Sequence, residues 1–586
     1  MSYNLNKLSE SQQKASTWTA LRKLLKLIEH ERKNLWFALA AILTNSTLNL
    51  LGPLIIGITI DKYISTKNYH GVLINGGILI AIYLIALVSG YVQTKTLGGV
   101  GQRLLYTLRN AIFNKLQQLP VDFFNQNKAG DLISRVNNDT DKINQFFSQS
   151  LMQFIGSIAT MVGSGVFLVA INYKLGLAAL SPGVLILLFT FLVSSWVKRT
   201  NAQNMKSTGG MSAEIQESLN NFKVIIAFNR RDYFRKRFDG ANRQNYKTAI
   251  RAGLANNIFL PVYSFFASIS QLLVVVFGLY FISHHTMDVG KLLSYILYAT
   301  YFYNPLRQLA SLWASFQAAM ASWDRVSVIL GLESNLGLIE NNETKADAAL
   351  LEFQNVSFCY VPEQEILHNV SFRLERGKTY ALVGPTGGGK TTTASLIARL
   401  YDPSKGEVLL NGRDIRSYQP EEKTQKIGFI LQEPFLFTGT VRDNILYGNE
   451  IYKNHSNEQF EKVIADENLG ALLALFEQGL DTGVTTSGDG ISLGQKQIIA
   501  FMRAVLRNPE LLILDEATAN IDTITEKLLG DILDKLPETT TRVIIAHRLN
   551  TIENADEIFF VNSGEVIAAG SFDHAVDMLL HGKRVS

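Results

Sequence analysis

The sequence predicts an all-α transmembrane domain of six helices with long cytosolic helical extensions, followed by an α/β domain with a P-loop. Three observations carry this fold class: six long apolar runs in the first half, two polar connections of helical composition between them, and short strands alternating with helices after Leu350. The chain of 586 residues is too long for one ordinary domain. Its 47% hydrophobic residues fit a membrane part joined to a soluble part.

The six apolar runs are long enough to cross a bilayer. Residues 34–60 contain no charged residue and exceed the roughly 20 residues that a spanning helix needs. The other runs lie near residues 71–93, 149–171, 175–197, 254–283 and 292–317. One such run could be a buried helix of a soluble core. Six in succession exceed what the rest of the chain could cover, and they indicate a membrane domain.

The connections between the runs predict the orientation. The links after the second and fourth runs are long and contain most of the Lys and Arg, whereas the short links contain only Lys62, Lys67, Lys174 and Lys291. This bias places the long links and both termini in the cytosol. The long links are rich in helix formers and are predicted to extend the helices and to turn near 120–139 and 211–228.

The remaining composition sets domain limits and excludes some functions. Residues 17–33 space apolar side chains at helical intervals among Lys and Arg, which favours an amphipathic helix on the membrane face over a solvated helix. We therefore predict a tail and elbow helix over 1–33, a transmembrane domain over 34–330, a polar linker over 331–349 and a nucleotide-binding domain over 350–586.

The net charge of +4 gives no support for nucleic acid as a partner. The single cysteine excludes a disulfide within the chain.

A phosphate-binding loop is predicted between a short apolar strand and a helix within residues 380–400. The pattern GxxxxGK[ST] is matched without a mismatch. Its glycines allow backbone amides to surround phosphates, while the lysine adds a positive charge and the hydroxyl a ligand for Mg²⁺. The predicted binding residues are Gly384, Pro385, Thr386, Gly387, Gly388, Gly389, Lys390, Thr391 and Thr392.

Two carboxylates end the buried-type strand in "ELLILDEA", residues 510–517. Asp515, at the end of the strand, suits the Mg²⁺ shell together with Thr391. Glu516 suits the polarisation of an attacking water. An Asp-Glu pair after a strand is commonly just a strand end, but the phosphate loop in the same domain favours the catalytic interpretation.

Seven motifs in order make the chain resemble a known family. They are Tyr360 in "VSFCY", the loop 384–391, Gln432 in "ILQEPFLF", "ISLGQKQ" at 491–497, "LLILDE", Asp522 in "ATANID" and His547 in "IIAHRLNTI". The second half resembles the ATPase domain of ABC transporters, and the first half resembles the six-helix membrane domain of ABC exporters. The resemblance covers nearly the whole chain.

The resemblance implies an ATP and Mg²⁺ site shared between two chains. Tyr360 would stack on adenine, Gln432 would lie near Mg²⁺ and the attacking water, and His547 would contact the γ-phosphate. Asp522 would lie at the dimer interface. The family's signature turn contacts the ATP of the partner chain, and here Ser492, Gly494 and Gln495 would fill that role. The predicted catalytic residues are thus Glu516, His547 and Gln432.

The signature turn departs from the family pattern LSGGQ, because Ile491 replaces Leu and Leu493 replaces the first Gly. Glycine is required there only if φ is positive or if a Cβ would strike the ligand. We expect a negative φ at Leu493 and a side chain that points away from the nucleotide. A heterodimer with one degenerate ATP site is an alternative, and we favour a homodimer.

The transported substrate is the least determined property of the sequence. Arg307 is a charge inside the sixth run, and it either meets an anionic group or pairs near the interface. Aromatic residues of the fifth and sixth runs either line a cavity or pack helix against helix. We predict ATP-driven export or flipping of amphipathic small molecules or lipids by a half-transporter in the cell membrane, taken as a bacterial plasma membrane. Peptides are the alternative substrate, and a non-transporting regulatory ABC ATPase is the alternative class.

Overall fold

The computed structural model describes residues 3–5, 8, 29–334, 336–340, 349–361, 364–485, 490–515, 523–545, 553–570 and 572–581. The chain forms two compact units. The helical unit comprises Leu5–Gln117 and Ala129–Gly331, and the α/β unit comprises Met1–Asn4, Gln118–Lys128 and Leu332–Ser586. Most of the predicted elbow helix, together with Glu516, Asp522 and His547, lies outside the described residues.

Long helices make up the helical unit. After a short 3₁₀ turn at Glu29–Glu31, the helices of this half of the chain are α1 (Arg32–Thr59), α2 (Tyr69–Gln117), α3 (Val121–Gln126), α4 (Ala129–Ile171), α5 (Tyr173–Asn220), α6 (Phe222–Ala227), α7 (Arg231–Asn257), α8 (Phe259–Ser283) and α9 (Val289–Leu330). Helix α4 contains two π-helical stretches, and α3 belongs to the α/β unit. The predicted turns near 120–139 and 211–228 contain the short helices α3 and α6.

Five helical segments of the described residues are long and apolar enough to cross a membrane: Arg32–Ile64, Tyr69–Gln117, Ala129–Ile171, Tyr173–Asn220 and Arg231–Ser283. The sixth predicted run lies in α9, which is 42 residues long but does not reach the same hydropathy. Four tyrosines between positions 295 and 303 dilute its aliphatic content. The side chain of Arg307, also in α9, is outside the described part of the structure.

The tyrosines of α9 join it to its neighbours. The Tyr298 hydroxyl donates to the Leu50 carbonyl of α1 at 2.7 Å, and the Tyr303 hydroxyl donates to the Ala179 carbonyl of α5 at 2.8 Å. Tyr295 donates to the Leu168 carbonyl of α4 at 2.6 Å. Because all three rings are buried, these three tyrosines pack helix against helix, whereas Phe265 of α8 is 63% exposed.

Asp61 holds the start of α9. Its carboxylate accepts hydrogen bonds from the Gly290 amide at 2.5 Å and the Lys291 amide at 3.1 Å. The first amides of a helix have no partner within the helix and carry partial positive charge. The carboxylate of Asp61, just after α1, therefore fixes the start of α9 relative to the end of α1.

The α/β unit contains a six-stranded sheet of order β12-β11-β3-β10-β9-β6 and a four-stranded sheet of order β2-β1-β4-β5. The strands are β1 (Leu351–Val361), β2 (Gln364–Leu374), β3 (Thr379–Val383), β4 (Lys405–Leu410), β5 (Arg413–Asp414), β6 (Ile427–Ile430), β7 (Gly439–Thr440), β8 (Gly483–Val484), β9 (Leu511–Asp515), β10 (Thr541–Ile545), β11 (Glu557–Asn562) and β12 (Glu565–Gly570). Strands β11, β3, β10, β9 and β6 are parallel, and β12 pairs antiparallel with β11.

Helices cover the parallel sheet. The described ones are α10 (Lys390–Ile397), α11 (Pro420–Lys426), α12 (Val441–Ile445), α13 (Asn457–Asp466), α14 (Gly470–Leu473), α15 (Leu493–Val505), α16 (Thr523–Leu533) and α17 (Phe572–His581). Every residue of β9 is buried, as expected for a strand inside a parallel sheet covered on both faces. The carboxyl ends of the parallel strands lie at one edge of the sheet, where open α/β sheets bind their ligands.

Candidate nucleotide-binding site

The phosphate loop connects β3 to α10 through a backbone conformation that depends on glycine. Gly384, Gly387 and Gly389 have φ values of 149°, 82° and 116°, a region that favours glycine. A Cβ on Gly384 would collide with the Val561 carbonyl oxygen of β11. The turn predicted between strand and helix is therefore present, and its glycines are required by conformation and by close packing.

The lysine and threonine of the loop face the sheet edge. Lys390 is 5% exposed, and its Nζ donates to the carbonyl oxygens of Gly384 at 2.8 Å and Pro385 at 3.0 Å. Thr391 Oγ1 donates to Asp515 Oδ1 at 3.4 Å, and Asp515 is 2% exposed. Pro385, Thr386 and Gly387 form the exposed rim of the loop, whereas Gly388 and Gly389 are buried.

The register of strands β3, β10 and β9 brings the phosphate loop, the end of β10 and Asp515 to the same edge of the sheet. Ile545 of β10 pairs with Leu382 of β3 on one side and with Asp515 of β9 on the other. The phosphate loop, Asp515 and the end of β10 therefore lie side by side. Glu516 directly follows Asp515, and His547 follows Ile545 by two positions in the sequence, but both lie outside the described residues.

An aromatic cluster formed by Phe358, Tyr360 and Tyr401 lies beside the phosphate loop. The hydroxyls of Tyr360 and Thr392 are 3.2 Å apart, and the Tyr360 ring is 38% exposed. The Tyr401 ring meets Tyr360 edge to face at 5.1 Å between centroids. Asn125 of α3 donates to the Tyr401 hydroxyl at 2.6 Å. No sequence motif marks Tyr401, whose neighbours come from distant parts of the chain.

Gln432 is exposed on the loop of residues 431–438, the Gln432 loop. Arg503 of α15 anchors this loop by donating to the Phe435 carbonyl at 3.1 Å, and it also donates to the Asn444 carbonyl at 2.7 Å. The Asn444 side chain exchanges two hydrogen bonds of 2.8 Å with the Phe437 backbone. Burial lowers the pKa of Arg503 below its usual value. Sequence reasoning missed Arg503, whose only signal is an arginine on the apolar face of an amphipathic helix.

The segment "ISLGQKQ" forms the start of α15. Ser492 is its N-cap: the Gln495 amide donates to Ser492 Oγ at 3.1 Å, and the Ser492 amide donates to Gln495 Oε1 at 2.9 Å. Leu493 is the first helical residue, 43% exposed, with the negative φ expected from the sequence. Gly494 is the next helical residue and lacks a positive φ. The side chains of Ser492 and Gln495 are used within this capping box, and Gln495 Nε2 also donates to the Leu475 carbonyl at 2.9 Å.

The groups at this edge of the sheet suit the binding of a nucleoside triphosphate with Mg²⁺. Backbone amides at the start of α10 and the Lys390 ammonium can bind phosphate oxygens, and an aromatic ring lies nearby for a base. Among the described residues there is no cluster of three His, Cys, Asp or Glu that could hold a metal. Proteins usually bind Mg²⁺ through one or two carboxylates or hydroxyls together with substrate phosphates, and Asp515 with Thr391 fits that pattern.

Comparison with known proteins supports this assignment. The family model described as the ABC transporter transmembrane region matches residues 35–306, and the model described as ABC transporter matches residues 367–519. The uncharacterized ABC transporter ATP-binding protein YfiC of Bacillus subtilis is 32% identical over 95% of this chain and 92% of its own length. A multidrug resistance ABC transporter ATP-binding and permease protein of Lactococcus lactis is 29% identical over 96% and 95%, and an ATP-dependent lipid A-core flippase of Photorhabdus laumondii is 30% identical over 95% and 96%. The chain belongs to the ABC transporter family, as an exporter half-transporter that joins a helical membrane domain to an α/β ATPase domain.

Proposed function

We propose that this chain is an ATP-driven exporter or flippase of amphipathic small molecules or lipids that works as a dimer. The observation that carries the proposal is the approach of Thr391 on the phosphate loop to Asp515 at the end of β9. That pair forms a site for Mg²⁺ and phosphate in the same chain as five helical segments able to cross a membrane.

The residues of the ATP site divide the work between binding and proton transfer. Amides of residues 384–392 and the Lys390 ammonium hold the phosphates, Tyr360 holds the base, and Thr391, Asp515 and Gln432 supply oxygen ligands for Mg²⁺. Bound Mg²⁺ neutralises charge that develops on the phosphates. Glu516 accepts a proton from the attacking water, and His547 donates to the γ-phosphate.

The second ATP-binding surface comes from another copy of the chain. Ser492, Gly494 and Gln495 at the start of α15 contact the γ-phosphate of the partner's ATP, and Asp522 lies at the interface between the two copies. A homodimer is favoured because the serine, glycine and glutamine of the turn are all present, Ile491 is a conservative change, and Leu493, which replaces a glycine, adopts a helical φ. ATP binding closes the two ATPase domains, the long helices transmit closure, and hydrolysis resets the dimer.

The membrane topology and the domain boundaries that we propose are those predicted from the sequence. We propose an elbow helix within 1–33, a membrane domain over 34–330 with six spans, a linker over 331–349 and an ATPase domain over 350–586. The ATPase domain and both termini lie in the cytosol, on the inner side of a bacterial plasma membrane.

The names of several relatives support the proposal that the transported substrate is amphipathic. Proteins that match nearly the whole chain are named for multidrug resistance and for lipid A-core flipping, and a mycobacterial relative that matches 84% of it is named for fatty acid transport. These substrates share an apolar body with a polar group. A broad amphipathic specificity is therefore the proposal that fits all of the names.

The test is ATP hydrolysis by the purified full-length chain in lipid vesicles, with and without candidate amphiphiles. We expect activity from this chain alone, stimulation by at least one drug or lipid, and loss of about 10²-fold or more in Glu516→Gln, as for removal of a general base. Glu510→Gln is the matched control. It makes the same change at the opposite end of β9, where Glu510 pairs with Lys426 and Arg376.

Each outcome separates a different part of the proposal. Full activity in Glu516→Gln would remove Glu516 as the base. Hydrolysis only after mixing with another half-transporter would exclude the homodimer. Hydrolysis that no amphiphile stimulates, with no movement of a fluorescent lipid or dye across the vesicle membrane, would favour the non-transporting ATPase.

A further inference from the structure

A groove between α5 and α7 combines an aromatic ring with two arginines. It measures about 510 Å³ and is lined by Trp196, Arg199, Thr200, Gln203, Arg251 and Leu254. The four residues from α5 are spaced i, i+3, i+4 and i+7 and therefore share one helix face. Arg251 and Leu254 are spaced i, i+3 on α7 and share a face in the same way. The groove, called here the basic groove, is thus built by two facing helix surfaces.

Two interhelical contacts fix the register of α5 against α7. The side chains of Asn201 and Asn256 exchange hydrogen bonds of 2.8 and 3.1 Å, and Thr208 donates to Asn245 at 2.9 Å. These contacts lie on either side of Arg251 in the antiparallel pairing. The basic groove is therefore held open by polar contacts that do not use its own arginines.

The basic groove lies where both helices leave the apolar part of the chain. The uncharged run of α5 ends at Val197, directly before Lys198 and Arg199, and Arg251 is the last charged residue before the uncharged run that continues through α8. Each arginine therefore lies at the polar end of an uncharged run, which places both of them toward the membrane–water interface. Trp196, which is 49% exposed, is of the residue type that prefers this level.

The two arginines have no carboxylate within reach on their own helices. The nearest acidic residue of α5 is Glu214, about 22 Å away at 1.5 Å per residue, and that of α7 is Asp239, about 18 Å away. Glu214 already pairs with Arg237, and Asp239 pairs with Arg243. Among the described residues neither Arg199 nor Arg251 forms an ion pair or hydrogen bond. The basic groove therefore has an uncompensated positive charge at an interface that contains lipid phosphates.

We propose that the basic groove binds the phosphate of an anionic phospholipid in the leaflet on the side of the polar extensions of α5 and α7. Arg199 and Arg251 pair with the phosphodiester, the Gln203 amide donates to it or to the headgroup, and Trp196 packs on the start of the acyl chains. The site is separate from the ATP site and does not depend on which substrate is transported. The lipid ties the two helices to the membrane surface.

The experiment uses the fluorescence of Trp196 in the full-length protein in nanodiscs. Phosphatidylglycerol with acyl chains brominated near the headgroup is titrated into phosphatidylcholine discs, and the signal of Trp196 is the difference between the wild type and Trp196→Phe. We expect saturable quenching beyond that given by equally brominated phosphatidylcholine. Arg199→Gln/Arg251→Gln should weaken it by roughly fivefold per arginine, the scale of attraction of one basic residue to an anionic surface.

Lys198→Gln/Lys247→Gln is the matched control, because it removes two positive charges from the same helices outside the groove. Unchanged basal ATPase activity and unchanged elution as an intact assembly verify that each variant is folded. Equal quenching by the two lipids, or equal loss in the two double variants, would overturn the proposal. Displacement of the quenching lipid by millimolar inorganic phosphate would also overturn it, in favour of a site for a soluble anion.

Discussion

Replacement of Leu493 by glycine tests whether the altered signature turn is functional. Leu493 is the first residue of α15, has a negative φ and is 43% exposed, so its conformation does not require glycine. Leu493→Gly removes about half of a buried leucine's hydrophobic contribution, about 1 kcal/mol, and adds up to ~0.8 kcal/mol of helix propensity cost. We expect the ATPase domain to lose about 1–2 kcal/mol of stability while kcat/KM for ATP changes less than about twofold.

Ser492→Ala, in contrast, should lower kcat/KM for ATP as well as the stability of the ATPase domain. It removes the cap, at about 0.5–2 kcal/mol, and the proposed hydrogen bond to a charged phosphate, about 1.5–3 kcal/mol. The second loss corresponds to a fall of about 10- to 100-fold in kcat/KM. Ser456→Ala provides the control, because Ser456 and Gln459 form the same capping box at the start of α13 with hydrogen bonds of 2.9 and 3.2 Å.

The assay is steady-state ATP hydrolysis in vesicles beside thermal unfolding of the same samples. A tenfold rise in activity in Leu493→Gly would refute the reasoning, since it would mean that a Cβ at this position obstructs the nucleotide and that the half-site is degenerate. Equal kinetic losses in the two serine variants would show that Ser492 acts only as a helix cap. Either result would favour the heterodimer over the homodimer.

Three further predictions concern residues outside the sequence motifs. Arg503→Gln should raise hydrogen exchange in the Gln432 loop and lower ATPase activity about tenfold. Arg507→Gln should do neither, because Arg507 lines a cavity beside that loop together with Arg503 but forms no hydrogen bond to the described residues of the loop. Asn125→Ala removes the hydrogen bond to the aromatic cluster, and we expect basal hydrolysis to persist while stimulation by substrate falls at least twofold. Burial lowers the pKa of Lys423 to about 8, so the unfolded chain binds more protons between pH 8 and 10.5 and stability rises with pH in that window. Lys423→Met should therefore flatten this rise, measured by thermal unfolding from pH 7 to 10, and the acylation rate of the wild-type amine should reach half of its maximum near pH 8.

The phosphate loop could be predicted because its phosphate-binding residues are contiguous in the sequence. Gly384 to Thr391 form one short segment, and the positive φ values follow from residues that the sequence already shows as glycine. Asp515 could be assigned because a buried strand must end at the sheet edge where parallel strands bind ligands. In both cases the local sequence determines the local structure.

Tyr401 and Arg503 could not be predicted because their roles depend on partners far away in sequence. Asn125 and Tyr401 are 276 positions apart, and Arg503 and Phe435 are 68 apart. The sixth predicted run is a different case, because its apolar length predicted the helix but not the use of its tyrosine hydroxyls. These hydroxyls donate to carbonyls of neighbouring helices, which only the three-dimensional structure places beside them. Composition alone cannot distinguish a cavity lining from such packing.

Helix α15 connects the Ser492 turn, proposed to contact the partner's ATP, with Arg503, which anchors the Gln432 loop of the same chain. Its first turn presents Ser492, proposed to meet the partner's ATP, and thirteen residues span about 20 Å to the turn where Arg503 holds the Gln432 loop. The buried face between them packs in the core next to β6 and α12, and we expect a helix packed in this way to move as a rigid body. A displacement of the Gln432 loop is then expected to reach Ser492 without any change of fold. This argues that the capping box and Arg503 act as one element, and that a variant at either end should alter the response of the other.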